Sequence, residues 1–176
     1  VKKAITEVEE LEELLKEIDE ERSRRNKLFI TSGVKNLLEY NEKYPNNKLP
    51  YIMLIVDEVA GILSLSPNAK KNIDKLLAKL GQLGRSSGVH VILSTQRPAQ
   101  DVITPLIKVN FNNRICLAVE DEANSEIIIG TGEGKNLRGY GHGILKRGRD
   151  KVEFQGLYIE QQDRDKIIKE NTKTPY

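Results

Sequence analysis

The 176 residues, 38% of them hydrophobic and 31% charged, are enough for one ordinary globular domain and show no compositional sign of disorder. The single cysteine excludes a disulfide framework and a cysteine-based metal site, and the net charge of +2 by itself indicates no class of partner. The longest apolar run, 51–56, is too short to span a bilayer, so we expect no membrane contact, and the single cysteine suits a reducing cytoplasm.

Apolar spacing predicts two helices at the start of the chain. The first is a long amphipathic helix that ends near Phe29, because apolar residues recur every three or four positions: Ala4, Val8, Leu11, Leu15 and Ile18. A short second helix is expected after Gly33. Two prolines and three asparagines then predict a loop over 41–50.

Three short apolar runs predict buried strands: 51–56, 89–93 and 115–119. They are continuous rather than alternating, which is typical of a parallel sheet with helices on both faces. Helices are expected between them, over 68–83 and 101–109, as in a series of βαβ units. The predicted fold class is therefore α/β, with a mostly parallel sheet flanked by helices.

The last part of the chain is rich in glycine. Seven glycines between 130 and 149 predict turns and a C-terminal β-hairpin, with late strands over 143–146 and 152–159. Cys116 lies within the third apolar run, where a thiol is expected to be a small buried hydrophobic group.

Two adjacent acids, Asp57 and Glu58, directly follow the first predicted strand. Ligands of open α/β sheets bind outside the carboxyl ends of the strands, and a carboxylate there needs a partner, for which Mg²⁺ is the natural choice. This is the pattern of a Walker B motif. Asp57 would hold, through water, the Mg²⁺ of bound ATP, and Glu58 would polarise the attacking water as general base. Alternatively, the two acids simply cap a loop after a core strand.

The second predicted strand ends in Ser94-Thr95-Gln96. Because neighbouring parallel strands end at the same edge of a sheet, we expect Gln96 beside Asp57 and Glu58, where it would sense the γ-phosphate or orient water. Taken alone, Gln96 fits a hydrogen-bonded turn residue better, and its coincidence with the two acids favours the functional role.

Several linked blocks of this sequence resemble the motor domain of the FtsK/SpoIIIE family in their order and spacing. The likeness covers roughly residues 1 to 160. Its central blocks are Leu49-Pro50 with the strand and acids that follow, Gly88 to Pro98, Asp101 to Thr104, and Leu106 to Asn110. Further blocks lie upstream, at Arg24-Arg25 with Leu28-Phe29 and at Gly33 to Asn36, and downstream, at Asn113-Arg114-Ile115 and Leu137 to Gly141.

The resemblance implies the C-terminal part of a RecA-like P-loop NTPase core. Its parts would be a helical segment over 1–45, the region from Walker B to the last strands over 49–160, and a tail over 161–176. It also implies an ATP-driven translocase of double-stranded DNA that works as a homo-hexamer in the full-length protein. In such rings an arginine from one subunit reaches its neighbour's γ-phosphate. Arg114 is the candidate; a surface salt bridge is the alternative role.

A basic stretch provides the candidate DNA contacts. Residues 61–99 hold six lysines and arginines but one acid, Asp74. The resemblance implies that this stretch contacts the DNA backbone, and the candidates are Lys70, Lys71, Arg85 and Arg97. A solvated helix face explains the lysines equally well.

The phosphate-gripping sequence G-x-x-x-x-G-K-[ST] is missing from residues 1–176, and the closest segment, 130–136, reads as a turn. We expect the P-loop upstream of Val1, so that the fragment alone is inactive. The family's Asp-Ser-Arg is replaced by Ala123 to Glu126 and its late Gly-Asp by Gly141-His142, and we expect no winged-helix module within residues 1–176.

These departures favour a motor from a conjugative or mobile-element transfer system. A membrane anchor elsewhere in the parent is left open. The alternatives are a non-catalytic ATPase-like interaction module and a protein-secretion motor domain of the same family.

Overall fold

The computed structural model describes residues 5–65 and 67–172, with side chains left undescribed at 65–68 and at 172. The chain divides into two compact units, Val1–Asn112 and Asn113–Tyr176. Each unit has its own buried apolar core. Among the described residues, no helix has the length and apolarity needed to cross a membrane.

The first unit combines helices with a pair of parallel strands. Its elements in chain order are α1 (Val8–Ser32), α2 (Leu37–Lys43), β1 (Ile52–Val56), α3 (Val59–Leu65), α4 (Pro67–Ser87), β2 (Val89–Leu93) and α5 (Pro105–Asn110). The predicted long first helix, short second helix and first two strands are confirmed. Helix α4 runs beyond the predicted 68–83, and α3, a short segment that contains Gly61 and Ser64, was not predicted.

The amphipathic pattern of α1 supplies one side of the main core. Its buried apolar side chains share one cluster with those of α4, namely Val8, Leu11, Leu15 and Ile18 with Ile73, Leu77 and Leu80. Ala4 lies outside the described residues. The helix ends at Gly33, whose φ of 66° is readily adopted by glycine, and the amide of Val34 donates to the Phe29 carbonyl at 3.0 Å. The helix therefore extends about one turn past the predicted end.

Arg25 ties α1 to the starts of both parallel strands. Its side chain is buried, and its Nη1 donates to the carbonyl of Pro50 at 2.7 Å and to that of Ser87 at 2.9 Å. Its Nε donates to Glu21 at 2.8 Å. Because Pro50 and Ser87 each lie two residues before a strand, one guanidinium aligns the starts of β1 and β2.

The two strands pair in parallel and in register. Ile52 faces Val89 at one end and Val56 faces Leu93 at the other. The predicted parallel pairing is confirmed. As a result, the residues that follow the strands, Asp57 and Ser94, leave the sheet at the same level.

The second unit is built around an antiparallel sheet. Its elements are β3 (Asn113–Leu117), α6 (Glu122–Ile129), a 3-10 helix (Gly132–Asn136), β4 (His142–Arg147), β5 (Asp150–Gln155) and α7 (Gln161–Thr172). Cys116, Ile129 and Ile144 form its core, so the expectation of a buried cysteine is confirmed. The segment 130–136 follows a helix and forms no phosphate-gripping loop.

The prediction of a third parallel strand is wrong. Residues 115–117 of the run predicted over 115–119 belong to β3, which pairs antiparallel with β4, and Cys116 faces Ile144. Ile115 and Leu117 on its other face are exposed. A short apolar run is compatible with either sheet type, and here the glycine-rich hairpin provides the partner strand. The helix predicted over 101–109 also starts later, at Pro105, because the Thr104 side chain caps it by accepting from the Ile107 amide.

Candidate active site

The site lies where β1 and β2 end. Asp57 directly follows β1, and its Oδ1 accepts a hydrogen bond of 2.6 Å from the hydroxyl of Ser94. The main chain continues the strand pairing, since the Ser94 amide donates to the Val56 carbonyl at 3.0 Å and the Val59 amide donates to the Ser94 carbonyl at 2.9 Å. Ser94 is therefore held between the end of β1 and the start of α3.

Glu58 occupies a strained backbone conformation. Its φ is 47°, in the left-handed region that residues other than glycine, asparagine and aspartate seldom enter. Its carboxylate is held at both oxygens: Oε1 accepts from the Thr95 hydroxyl at 2.8 Å and Oε2 from the Gln96 amide at 2.7 Å. The side chain is half-buried. The end of β2 thus fixes the orientation of an acid that follows β1.

Gln96 lies beside the acids, as the parallel topology predicted. Its contact with Glu58 is made by the main-chain amide, and the residue is exposed. Sequence reasoning missed Ser94 and Thr95, whose hydroxyls bond to the two acids. The signal was available, because two small hydroxyl residues stand directly after the strand in the same tripeptide as Gln96.

The oxygen donors around Asp57 fit a magnesium ion. Mg²⁺ prefers carboxylate and other hard oxygen ligands, keeps several of its waters and is often bound through one carboxylate and the phosphates of a nucleotide. Asp57 is exposed, and the structure places a serine hydroxyl against one of its oxygens. This arrangement suits a carboxylate that binds the ion directly or through water.

Arg114 belongs to the second unit. It lies on β3, and its Nη1 donates to the carbonyl of Ile128 at 2.9 Å, near the C-terminal end of α6. Partial burial lowers the pKa of its guanidinium, which still carries its charge at neutral pH because the ordinary value lies far above it. The contact orients the guanidinium within the second unit.

The four candidate DNA contacts differ in their surroundings. Lys70 donates to the carbonyl of Asp101, and Arg97 forms an ion pair of 3.2 Å with the carboxylate of the same residue. Lys71 and Arg85 are exposed on α4. Arg97 stands next to Gln96 in the chain, so one of the four lies close to the acids.

The chain is similar to proteins from three kinds of system. It is 34% identical over 166 residues to the DNA translocase FtsK of Clostridium acetobutylicum. The matched region covers 89% of this chain and 21% of that protein. The structure of the pCW3 conjugation coupling protein TcpA with ATPγS has a TM-score of 0.85 and 32% identity, covering 95% of this chain and 50% of that one.

The cytoplasmic domain of the type VII secretion ATPase EccC of Thermomonospora curvata has a TM-score of 0.67 and 27% identity, covering 78% of this chain and 16% of that one. The chain spans about a fifth of the length of the curated relatives it matches.

Fold and strand-end site together define the class: an α/β domain of the P-loop ATPase type, with the predicted parallel strands and late hairpin. The family model of the FtsK/SpoIIIE family matches residues 1–100. The chain belongs to the FtsK/SpoIIIE family.

Proposed function

We propose that this chain supplies the water-activating part of the ATP site in an ATP-driven translocase of double-stranded DNA, within a conjugative or mobile-element transfer system. The observation that carries the proposal is the Glu58 carboxylate, held at both oxygens beside Asp57 at the common end of two parallel strands. The likeness to the conjugation coupling protein TcpA supports the transfer system.

In this proposal each residue at the strand ends has one role. Asp57 would hold the Mg²⁺ of bound ATP through water, and so help to neutralise charge on the phosphates. Glu58 accepts a proton from the attacking water, and Gln96 contacts the γ-phosphate or that water. The phosphate-binding loop is supplied by sequence outside residues 1–176, so the isolated chain does not hydrolyse ATP.

The remaining roles concern assembly and cargo. A homo-hexamer brings Arg114 of one subunit toward the ATP site of the next, where a guanidinium stabilises charge in the transition state. Lys70, Lys71, Arg85 and Arg97 contact the phosphates of DNA, an interaction that is independent of sequence and sensitive to salt.

The test is ATP hydrolysis by the intact protein, with and without linear double-stranded DNA. We expect DNA to stimulate hydrolysis and Glu58→Gln to lower kcat at least a hundredfold while ATP binding is retained, since the amide cannot take the proton. Glu42→Gln, the same change at an exposed position of α2, is the control and should match the wild type. Undiminished hydrolysis in Glu58→Gln would remove Glu58 from its role.

A second candidate is a protein-secretion motor, which the likeness to the secretion ATPase EccC favours. The two candidates differ in their cargo. Displacement of a DNA triplex by the intact protein and ATP supports the DNA motor. Hydrolysis that DNA leaves unchanged, together with no triplex displacement, supports the secretion motor.

A further inference from the structure

We propose that Thr95 is a positioning residue for Glu58: its hydroxyl holds the carboxylate in the orientation from which it activates water. This inference rests on the proposed ATP site. Thr95 lies on the neighbouring strand end, and its Oγ1 is 2.8 Å from Oε1 of Glu58. Thr95 would touch neither the nucleotide nor the water and would act through Glu58.

The geometry at Thr95 leaves its proton one preferred acceptor. The hydroxyl oxygen accepts the Arg97 amide at 3.0 Å, and its one hydrogen can go either to Glu58 at 2.8 Å or to the Arg97 carbonyl at 3.3 Å. The shorter bond, to an ionised acceptor, is the stronger. The hydroxyl is thus oriented by its own strand end and donates to Glu58.

Glu58 needs a hydrogen-bond donor that holds its carboxylate, because its own strained backbone does not fix the side chain. Its φ of 47° costs roughly 1 to 2 kcal/mol, and a glutamate side chain free to rotate loses conformational entropy when it is held in place. Thr95 and the Gln96 amide hold both oxygens from one neighbouring segment. Each oxygen keeps a second lone pair, so the carboxylate can still accept a proton from water.

The experiment compares Thr95→Val and Thr95→Ser in the intact protein. The valine is nearly the same size without the hydroxyl, and the serine restores it. We expect Thr95→Val to lower the kcat of ATP hydrolysis about tenfold with KM for ATP changed less than twofold, because the interaction serves the transition state rather than binding. Thr95→Ser should keep at least half of the wild-type kcat.

Hydrogen exchange at single-residue resolution gives a readout independent of activity. The Gln96 amide is protected through Glu58, so Thr95→Val should speed its exchange severalfold, although the substitution leaves that amide itself unchanged. Thr31→Val is the matched control, since it removes an exposed hydroxyl that donates to the Leu28 carbonyl of its own helix. It should leave both kcat and the exchange of Gln96 as in the wild type.

Thermal melts verify that each variant is folded, and Thr95→Ala, which cannot overpack the site, replaces valine if that variant unfolds. An unchanged kcat, an equal loss in the serine variant, a change confined to KM, or unchanged Gln96 exchange would each overturn the inference. If the wild type itself hydrolyses no ATP, the proposed function fails and the inference with it. If the wild type hydrolyses ATP and the Thr95 substitutions leave kcat unchanged, the inference about Thr95 is overturned and the proposed function stands.

Discussion

The Ser94 hydroxyl donates a 2.6 Å hydrogen bond to the carboxylate of Asp57, and so joins the ends of two neighbouring parallel strands. Three successive residues after β2 donate hydrogen bonds to the acids after β1: the hydroxyls of Ser94 and Thr95 and the amide of Gln96. The acids are therefore oriented by a different part of the chain from the one that carries them. This arrangement predicts how changes at the strand ends affect activity.

Ser94→Ala should weaken the use of Mg²⁺. Loss of a hydrogen bond to an ionised group costs about 1.5 kcal/mol or more, and the exposure of Asp57 favours the low end. We expect the Mg²⁺ concentration for half-maximal ATP hydrolysis to rise about tenfold in the intact protein, since about 1.4 kcal/mol corresponds to a factor of ten. Ser64→Ala, which removes a hydroxyl bonded to a carbonyl of its own helix α3, is the control. An unchanged Mg²⁺ dependence would contradict a role for Ser94 in orienting Asp57.

Lys71→Gln should reduce the salt dependence of DNA binding. If Lys71 neutralises one phosphate, its removal lowers the slope of log K against log salt concentration by about 0.9 and weakens binding equally for all sequences. Lys16→Gln, at a lysine of α1 paired with Glu12, should leave the slope as it is. Binding isotherms at four salt concentrations measure both. Equal slopes for the wild type and Lys71→Gln would favour the alternative that Lys71 lies on a solvated helix face and does not contact DNA.

Arg25 and Arg24 share the carboxylate of Glu21 but differ in burial. The Arg25 side chain is 3% exposed and that of Arg24 is 56% exposed. Arg25→Met leaves the Pro50 and Ser87 carbonyls without their donor, and should lower the free energy of unfolding by about 3 kcal/mol. Arg24→Met should cost less than about 1 kcal/mol. Urea denaturation measures both, and equal losses would show that Arg25 does not align the strands.

Arg24 and Arg25, through their hydrogen bonds to Glu21, also make the free energy of unfolding depend on pH. Hydrogen bonds from Arg24 and then Arg25 lower the pKa of Glu21 to about 2. A depressed pKa stabilises the fold above the ordinary value of 4.5, and this contribution is lost as the pH falls toward 2. Arg24→Met should therefore lose less stability than the wild type between pH 4.5 and 2. Parallel curves over that range would contradict the assignment.

Asp74 should destabilise the protein at neutral pH. Burial raises the pKa of this carboxyl, and among the described side chains its Oδ1 is buried without a hydrogen-bond partner. The folded protein binds the proton more tightly, so stability falls as the pH rises through the raised pKa. Asp74→Asn should raise the free energy of unfolding by about 1 kcal/mol at pH 7, and the gain should vanish at low pH. Asp163→Asn, at an exposed position of α7, should leave the free energy of unfolding nearly unchanged. If the gain in Asp74→Asn persisted well below the ordinary pKa value of 3.8, burial of the ionised carboxylate would not be its cause.

Much of the site was readable from local pattern. An apolar run followed by two acids, and a second run followed by hydroxyl and amide residues, predicted two parallel strands with polar ends at one edge, and the register confirms this. The residue that contacts Glu58 by its side chain was not predicted. Gln96 is the larger polar group, yet Thr95 makes that bond, because the distance and the direction of a side chain depend on the backbone after β2.

The sequence by itself determined the positions of the first two strands, the acids after the first of them and the amphipathic first helix, because each depends on residues close together in the chain. Only the tertiary structure decided which sheet takes the third apolar run and which donors hold Glu58. A strand's partner and a carboxylate's donors come from distant residues, and a short apolar run satisfies several pairings equally. Hydrogen bonding between segments, rather than periodicity within one, selects among them.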